Sequence, residues 1–209
     1  KLMVIRLRYE MTLKEPVSLP ATAGRSEQGS LKFVPGAMVL GALASQSYPQ
    51  AQTQGLAWDL FHSGAVSFGD AKPITDQEQA PAIHTPLSIH HPKRSAEETR
   101  TYVDFTRKVP AQRLSQAFSD EQGVQFELTG SMVSSQGYMV KGSSSYALKT
   151  AIEFKSQRAK EGMLFGHSFL PAQTRLGFTV MIDEQHDQAD QLKQFISTHL
   201  VGRHLIGKS

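Results

Sequence analysis

Alternation dominates the start of the chain. Met3, Ile5, Leu7, Tyr9, Met11 and Leu13 share one parity, while Arg6, Arg8, Glu10, Thr12 and Lys14 take the other. A period of two sustained across residues 3–13 predicts a strand with one buried face. Pro16 and Pro20 end it, and the polar, basic loop ATAGRSEQGSLK follows. The next segment, FVPGAMVLGALASQ at 33–46, predicts a helix from about Pro35 to Ser47. Proline suits a first helical turn, where its missing N–H would have had no partner. Glycine inside a helix costs roughly 1 kcal/mol against alanine. Gly36 and Gly41 therefore predict that something approaches this helix closely, either a neighbouring strand or a ligand phosphate.

GAVSFGDAKPI at 64–74 predicts a second strand, stopped by proline. Pro73, Pro81, Pro86, Pro92 and Pro110 break residues 70–112 into largely irregular chain. Val124, Phe126 and Leu128 alternate with Gln125, Glu127 and Thr129, a further strand. Then come the glycine- and serine-rich GSMVSSQGYMVKGSSSY and the basic LKTAIEFKSQRAKEGMLFGHSFL, which holds short strand candidates. Leu176, Phe178, Val180 and Ile182 alternate again. Residues 187–200 place Ala189, Leu192, Phe195, Ile196 and Leu200 at helical spacing. A last short strand is expected near His204 to Ile206. The resulting fold class is α+β, a ferredoxin-like (RRM-like) βαββαβ arrangement with helices on one face of an antiparallel sheet. Residues 1–209 read as a single domain with a long, largely irregular insertion at about 75–147.

Composition narrows the function classes. The hydrophobic share of 39% and charged share of 20% fit a globular chain of 209 residues. No apolar run approaches the roughly 20 residues of a membrane span, so no membrane partner is expected. Arg6, Arg8 and Glu10 interrupt the only apolar stretch near the start, which is not a signal-peptide pattern. Cysteine is absent, excluding a disulfide frame and a thiolate metal site. These features fit a cytoplasmic location. Net charge is only +3, but it is unevenly spread. Residues 141–160 carry Lys141, Lys149, Lys155, Arg158 and Lys160 against Glu153 alone, whereas Asp183, Glu184, Asp187 and Asp190 gather elsewhere. Such polarity suits a phosphate-rich partner on one face.

Several motifs resemble chemistry without completing it. GRHLIGKS at 202–209 matches the phosphate-loop pattern G-x-x-x-x-G-K-S. That pattern needs a strand before it and a helix after it, but DQLKQFISTHL ahead of it reads as helix. His84, His90 and His91 lie in a proline-rich stretch with no cysteine or placed carboxylate to complete a tetrahedral metal set. Ser143, Ser144 and Ser145 lack the G-x-S-x-G context of a nucleophile. Glu97 and Glu98 sit between Arg94 and Arg100 as a solvated charge run. The expectation is of no enzyme, no catalytic residue, no metal site and no cofactor.

Three segments carry a family resemblance. The strand, polar loop and FVPGAMVLGALA resemble the "IPGSS-x-x-GalA" segment of the CRISPR-associated RAMP (repeat-associated mysterious protein) superfamily. LKTAIEFKSQRAKEGMLFGHSFLPAQTRLGFTVMI at 148–182 is similar to that superfamily's "H-x-a-I-d-x-x-t-g-x-A-x-e-g-x-L-F" segment. GRHLIGKS resembles the start of its glycine-rich loop. Together the three span most of the chain in the right order, and the 148–182 segment is most similar to the subunits of type III effector complexes that cap the 5′ end of the guide RNA. Leu148-Lys149 stands where a histidine is common. The chain also starts without methionine and stops inside the glycine-rich loop, so the expectation is either a piece cut from a longer protein, truncated at its C-terminus, or a chain trimmed by disorder.

The resemblance implies a non-catalytic subunit that binds the 5′ handle of a crRNA and assembles with other effector subunits in antiviral defence. It places RNA contacts at Pro35 and Gly36, at Lys149, Arg158 and Lys160, and at Arg203, Gly207 and Lys208. Charge and loop position add Arg25, Lys32, Lys93 and Arg94. An alternative is a RAMP endoribonuclease that processes guide RNA. Metal-independent cleavage needs a general base, and no histidine precedes His62, which leaves His62, His167, His199 and His204 as candidates. A repeating backbone subunit that cleaves through a loop aspartate is disfavoured, since residues 20–33 hold Glu27 and no aspartate. A structural RAMP module of a larger fused protein is the remaining alternative.

Overall fold

The computed structural model describes residues 3–19, 27–28, 30–75, 78–93, 102–106, 126–128, 132–134, 139–140, 142–152 and 159–206. The chain divides into two compact units, Lys1–Ala82 with Gly142–Ser209, and Ile83–Lys141. The first unit opens with β1 (Val4–Thr12), β2 (Glu27–Gln28), α1 (Gly36–Thr53), α2 (Ala57–Phe61), β3 (Val66–Phe68), β4 (Lys72–Thr75) and β5 (Glu78–Pro81). The second unit holds β6 (Ile83–His84), β7 (Ile89–Pro92), β8 (Val103–Asp104), β9 (Phe126–Leu128), β10 (Met132–Val133) and β11 (Met139–Val140). The chain returns to the first unit with β12 (Ser145–Ile152), β13 (Ala159–Phe169), β14 (Arg175–Asp183) and α3 (Ala189–His199). The fold mixes α and β, with strands outweighing helices and the sheets mainly antiparallel.

β14 is the central strand of the main sheet. β1 lies antiparallel along one edge, from Val4 opposite Asp183 to Thr12 opposite Arg175. β3 and β4 share the other edge, and β5 continues from β4. Alternation then decides the faces: Leu176, Phe178, Val180 and Ile182 are buried, and Ile5, Leu7, Tyr9 and Met11 pack beside them. Tyr9 stacks on its cross-strand partner Phe178 at 5.4 Å between ring centres. Val39, Leu43 and Ala51 of α1 and Leu192, Phe195 and Ile196 of α3 complete the same core.

The exposed side of this strand pair carries Glu10 and Arg175. Arg175 donates from Nε to Glu10 Oε1 at 2.6 Å and from its terminal nitrogen to Oε2 at 3.2 Å. That hydrogen bonding, aided by the guanidinium charge, holds the Glu10 carboxyl below its ordinary range. A lowered folded-state pKa contributes stability above the unfolded value and loses it as pH falls through the folded one. Arg175→Ala should therefore raise the Glu10 pKa in an NMR titration and flatten that part of the acid-side stability profile. An unchanged Glu10 titration would mean that the pair does not persist in solution.

The helix expected to stop at Ser47 runs on to Thr53, with Pro49 inside it. An internal proline costs about 3 kcal/mol, and tertiary burial offsets this. Ala51 is fully buried, and the following Leu56 and Leu60 also enter the core; burying each leucine contributes about 1.5–3 kcal/mol. The second expected strand divides into β3 and β4 because the chain between them pairs elsewhere. Val34 and Ala71 exchange backbone hydrogen bonds of 2.9 and 2.8 Å, tying the start of α1 to the sheet. The basic segment expected to hold short strands instead forms a long antiparallel hairpin of β12 and β13.

The strand expected near His204 to Ile206 does not form. Gln46 on α1 donates from Nε2 to the Arg203 carbonyl at 3.1 Å, and Ile206 packs on the core, so this tail lies on the helix rather than on the sheet. The described order in the first unit thus lacks the last strand of a βαββαβ arrangement. In the second unit, β10 pairs with β6 and β11, and β7 pairs with β8 and β9. Among the described residues, no helix is long and apolar enough to cross a membrane.

Candidate nucleic-acid interface

Two segments expected to meet RNA, far apart in sequence, come together in the first unit. β2, inside the loop that follows β1, pairs parallel with β13, Glu27 opposite Gly166 and Gln28 opposite His167. At the other end of that loop, Lys32 lies against Gly142, just before β12. A Cβ placed on Gly142 would come within 2.8 Å of the Lys32 Cβ. Residues 27–28 and Lys32 of the β1–α1 connection therefore lie beside β13 and the chain that leads into β12.

On the hairpin, Lys149 lies in β12 opposite Phe165, and Lys160 lies near the start of β13. Tyr146 and Leu148 share one face of β12 by alternation, and both are largely exposed. The Tyr146 ring leans over Gly166, whose missing side chain leaves room for the hydroxyl. The hairpin thus carries a lysine in each strand and exposes an aromatic ring on the Tyr146 face. Bases of single-stranded nucleic acid stack on such rings while cations follow the phosphates.

The other expected contacts fall differently. Lys32 is exposed, and Arg203 is exposed in the tail beside α1. Lys93 is exposed in the turn after β7, in the second unit. Pro35 immediately precedes α1, and its carbonyl accepts hydrogen bonds from Met38 at 2.9 Å and Val39 at 3.3 Å. Arg25, Arg94, Arg158, Gly207 and Lys208 lie outside the described residues, as does the GKS end of the phosphate-loop-like motif.

Gly36 already has close partners within the fold. It is buried, and a Cβ there would overlap the Phe68 carbonyl of β3. Its N–H donates to Asp70 Oδ1 at 3.0 Å, so a carboxylate already satisfies the amide at the start of α1. A phosphate there would meet that negative charge, and the approach that demands glycine is by a strand. Gly41 is the opposite case, exposed, with open space where a Cβ would stand.

No family profile matches this sequence, and no curated protein matches it. Among solved structures, a chain of a type III-B Cmr-beta complex in its apo state superposes with a TM-score of 0.53 at 10% identity, covering 98% of this chain and 92% of that one. The fold is similar to a type III-B Cmr-beta chain. A second such chain, from Cmr-beta bound to cognate target RNA, gives a TM-score of 0.51 at 11% identity, covering 98% of this chain and 93% of that one.

The candidate histidines have separate surroundings. His62 is exposed beside Tyr48, with 3.4 Å between Nε2 and the Tyr48 hydroxyl, and the His199 ring lies 4.3 Å from that of Phe195. His167 sits in β13 opposite Ala147. Both ring nitrogens of His204 are buried without a hydrogen-bond partner, shielded from any substrate proton. In the second unit, buried His91 pairs through Nε2 with Glu127 Oε1 at 3.1 Å, while His84 is exposed. Among the described residues, no group of three or more histidine and acidic side chains is arranged to hold a metal ion.

Sequence reasoning missed the β2–β13 pairing, the Asp70 bond to Gly36 and the exposed aromatics Tyr146, Trp58 and Tyr48. Only the lone tryptophan in AWDLFH offered a signal.

Proposed function

We propose that this chain is a non-catalytic RNA-binding subunit of a CRISPR type III-like effector complex, holding the 5′ handle of a crRNA in the cytoplasm. The observation that carries the reading is the pairing of β2 with β13, which joins the β1–α1 loop to the basic hairpin. Two segments that resemble RAMP sequences thereby lie side by side, with Lys32 next to Gly142, Lys149 and Lys160 in the strands of the hairpin, and Tyr146 exposed on one of its faces. The nearly full-length likeness to Cmr-beta chains supports a role beside other effector subunits. In this reading β1, β14 and β3 with α1 and α3 are a RAMP-type ferredoxin-like domain, and about 75–147 is its insertion. The chain binds, and the cutting of RNA belongs to other subunits.

The test is to purify the protein with its co-expressed complex and sequence the RNA that accompanies it. A uniform 5′ tag derived from a CRISPR repeat is expected. Random cellular RNA, or processing of a guide precursor by the purified chain alone, would overturn the reading.

A further inference from the structure

One face of the first unit takes no part in that interface and inverts its charge. Trp58, the chain's single tryptophan, lies on α2 with 67% of its surface exposed. Its ring centre is 5.6 Å from that of His62, His62 lies edge-on to Tyr48 at 6.2 Å, and Tyr48 stacks on Phe61 at 5.3 Å. The rings hold one another in place while Trp58 and Tyr48 stay open to solvent. Tryptophan and tyrosine supply large contact area at small conformational cost, which is why they are enriched among the residues that dominate protein interfaces.

The rim of this face is acidic. His186 Nε2 lies 3.3 Å from Asp59 Oδ1, and the Asp183 N–H donates to the Ala65 carbonyl at 2.9 Å. The first contact clasps the β14–α3 turn to α2, and the second ties the end of β14 to the connection between α2 and β3. Residues 56–66 and 183–192 together contain Asp59, Asp183, Glu184, Asp187 and Asp190 but no lysine or arginine. The last turns of α1, residues 46–53, carry no charge at all. In a chain of net charge +3 this is a local reversal of sign. It repels nucleic-acid phosphate. A guanidinium, in contrast, is drawn both to the carboxylates and to the face of an indole ring.

We propose that Tyr48, Trp58 and His62, with their acidic rim, form a docking face for an arginine-bearing segment of a partner protein. The cation lies over Trp58, and Glu184 and Asp187 set its orientation and speed its approach. RNA and partner protein are thereby assigned to surfaces of opposite charge on one unit.

Because Trp58 is the only indole, its emission reports on this face alone. The full chain is titrated with a peptide of alternating arginine and glycine, with a glutamate–glycine peptide of equal length, and with single-stranded RNA. The arginine peptide should shift Trp58 emission saturably, and the other two should leave it unchanged. Glu184→Lys combined with Asp187→Lys, both exposed positions, should weaken peptide binding about tenfold with an unchanged thermal unfolding midpoint. The proposal is overturned if the arginine peptide has no effect, if the glutamate peptide matches it, or if the double variant binds as before. A larger emission change with RNA also overturns it and makes this a base-stacking surface. Since the readout is confined to Trp58, loss of RNA binding at the hairpin would leave the result intact.

Discussion

Raising salt from about 50 to 200 mM should weaken binding of a single-stranded crRNA handle roughly fiftyfold. Lys149, Lys155, Arg158 and Lys160 lie on or between β12 and β13 in sequence, so this segment supplies four cations for phosphate. Each phosphate neutralised on a single strand contributes a slope of about −0.7 in log K against log salt. Four contacts give a slope near −2.8, and a fourfold rise in salt then yields the stated loss. Replacing one of these residues with alanine should make the slope shallower by about 0.7, measured by fluorescence anisotropy at several salt concentrations. Tyr146→Ala should lower affinity with little change in slope, because stacking releases no counterions. Binding that does not vary with salt would rule out a phosphate-tracking hairpin.

Gly36→Val should destabilise the protein by about 3 kcal/mol or more, whereas Gly41→Ala should stabilise it by up to about 1 kcal/mol. The two glycines share one helix and differ in what lies beside them. At Gly36 the obstacle is the Phe68 carbonyl, backbone in a paired strand, which cannot swing aside as a flexible side chain can. Shifting α1 to make room would also lengthen the 3.0 Å bond from the Gly36 N–H to Asp70, and losing such a bond at a helix start costs roughly 0.5–2 kcal/mol. At Gly41 nothing stands in the way, so alanine simply restores helix propensity. Urea unfolding midpoints of the two variants against the parent would decide the matter. A Gly36→Val protein as stable as the parent would mean that α1 and β3 are not in close contact.

The same glycines show how far local sequence could be read. Pro35-Gly36 marked the start of a helix and the presence of a close neighbour, but not whether that neighbour was strand or phosphate. The answer lies in Phe68 and Asp70, more than thirty residues away. The charge segregation was equally plain in the sequence, whereas the meeting of the basic segment with the β1–α1 loop was not.

Where a segment's own periodicity matches its burial, the sequence by itself determined the outcome. β1, β14 and α3 appear within two residues of their patterned bounds, because one buried face leaves its imprint at every second or every third to fourth position. Tertiary structure alone decided the rest. α1 passes through Pro49 because Ala51 has a core to enter, and the tail at 203–206 follows α1 because Gln46 binds its backbone. Glu27 meets Gly166, and the β14–α3 turn closes on α2 through His186 and Asp59. Each of these is a pairing between residues distant in the chain. Its free energy depends on geometry that exists only after the other elements have packed, so no local pattern of residues can record it.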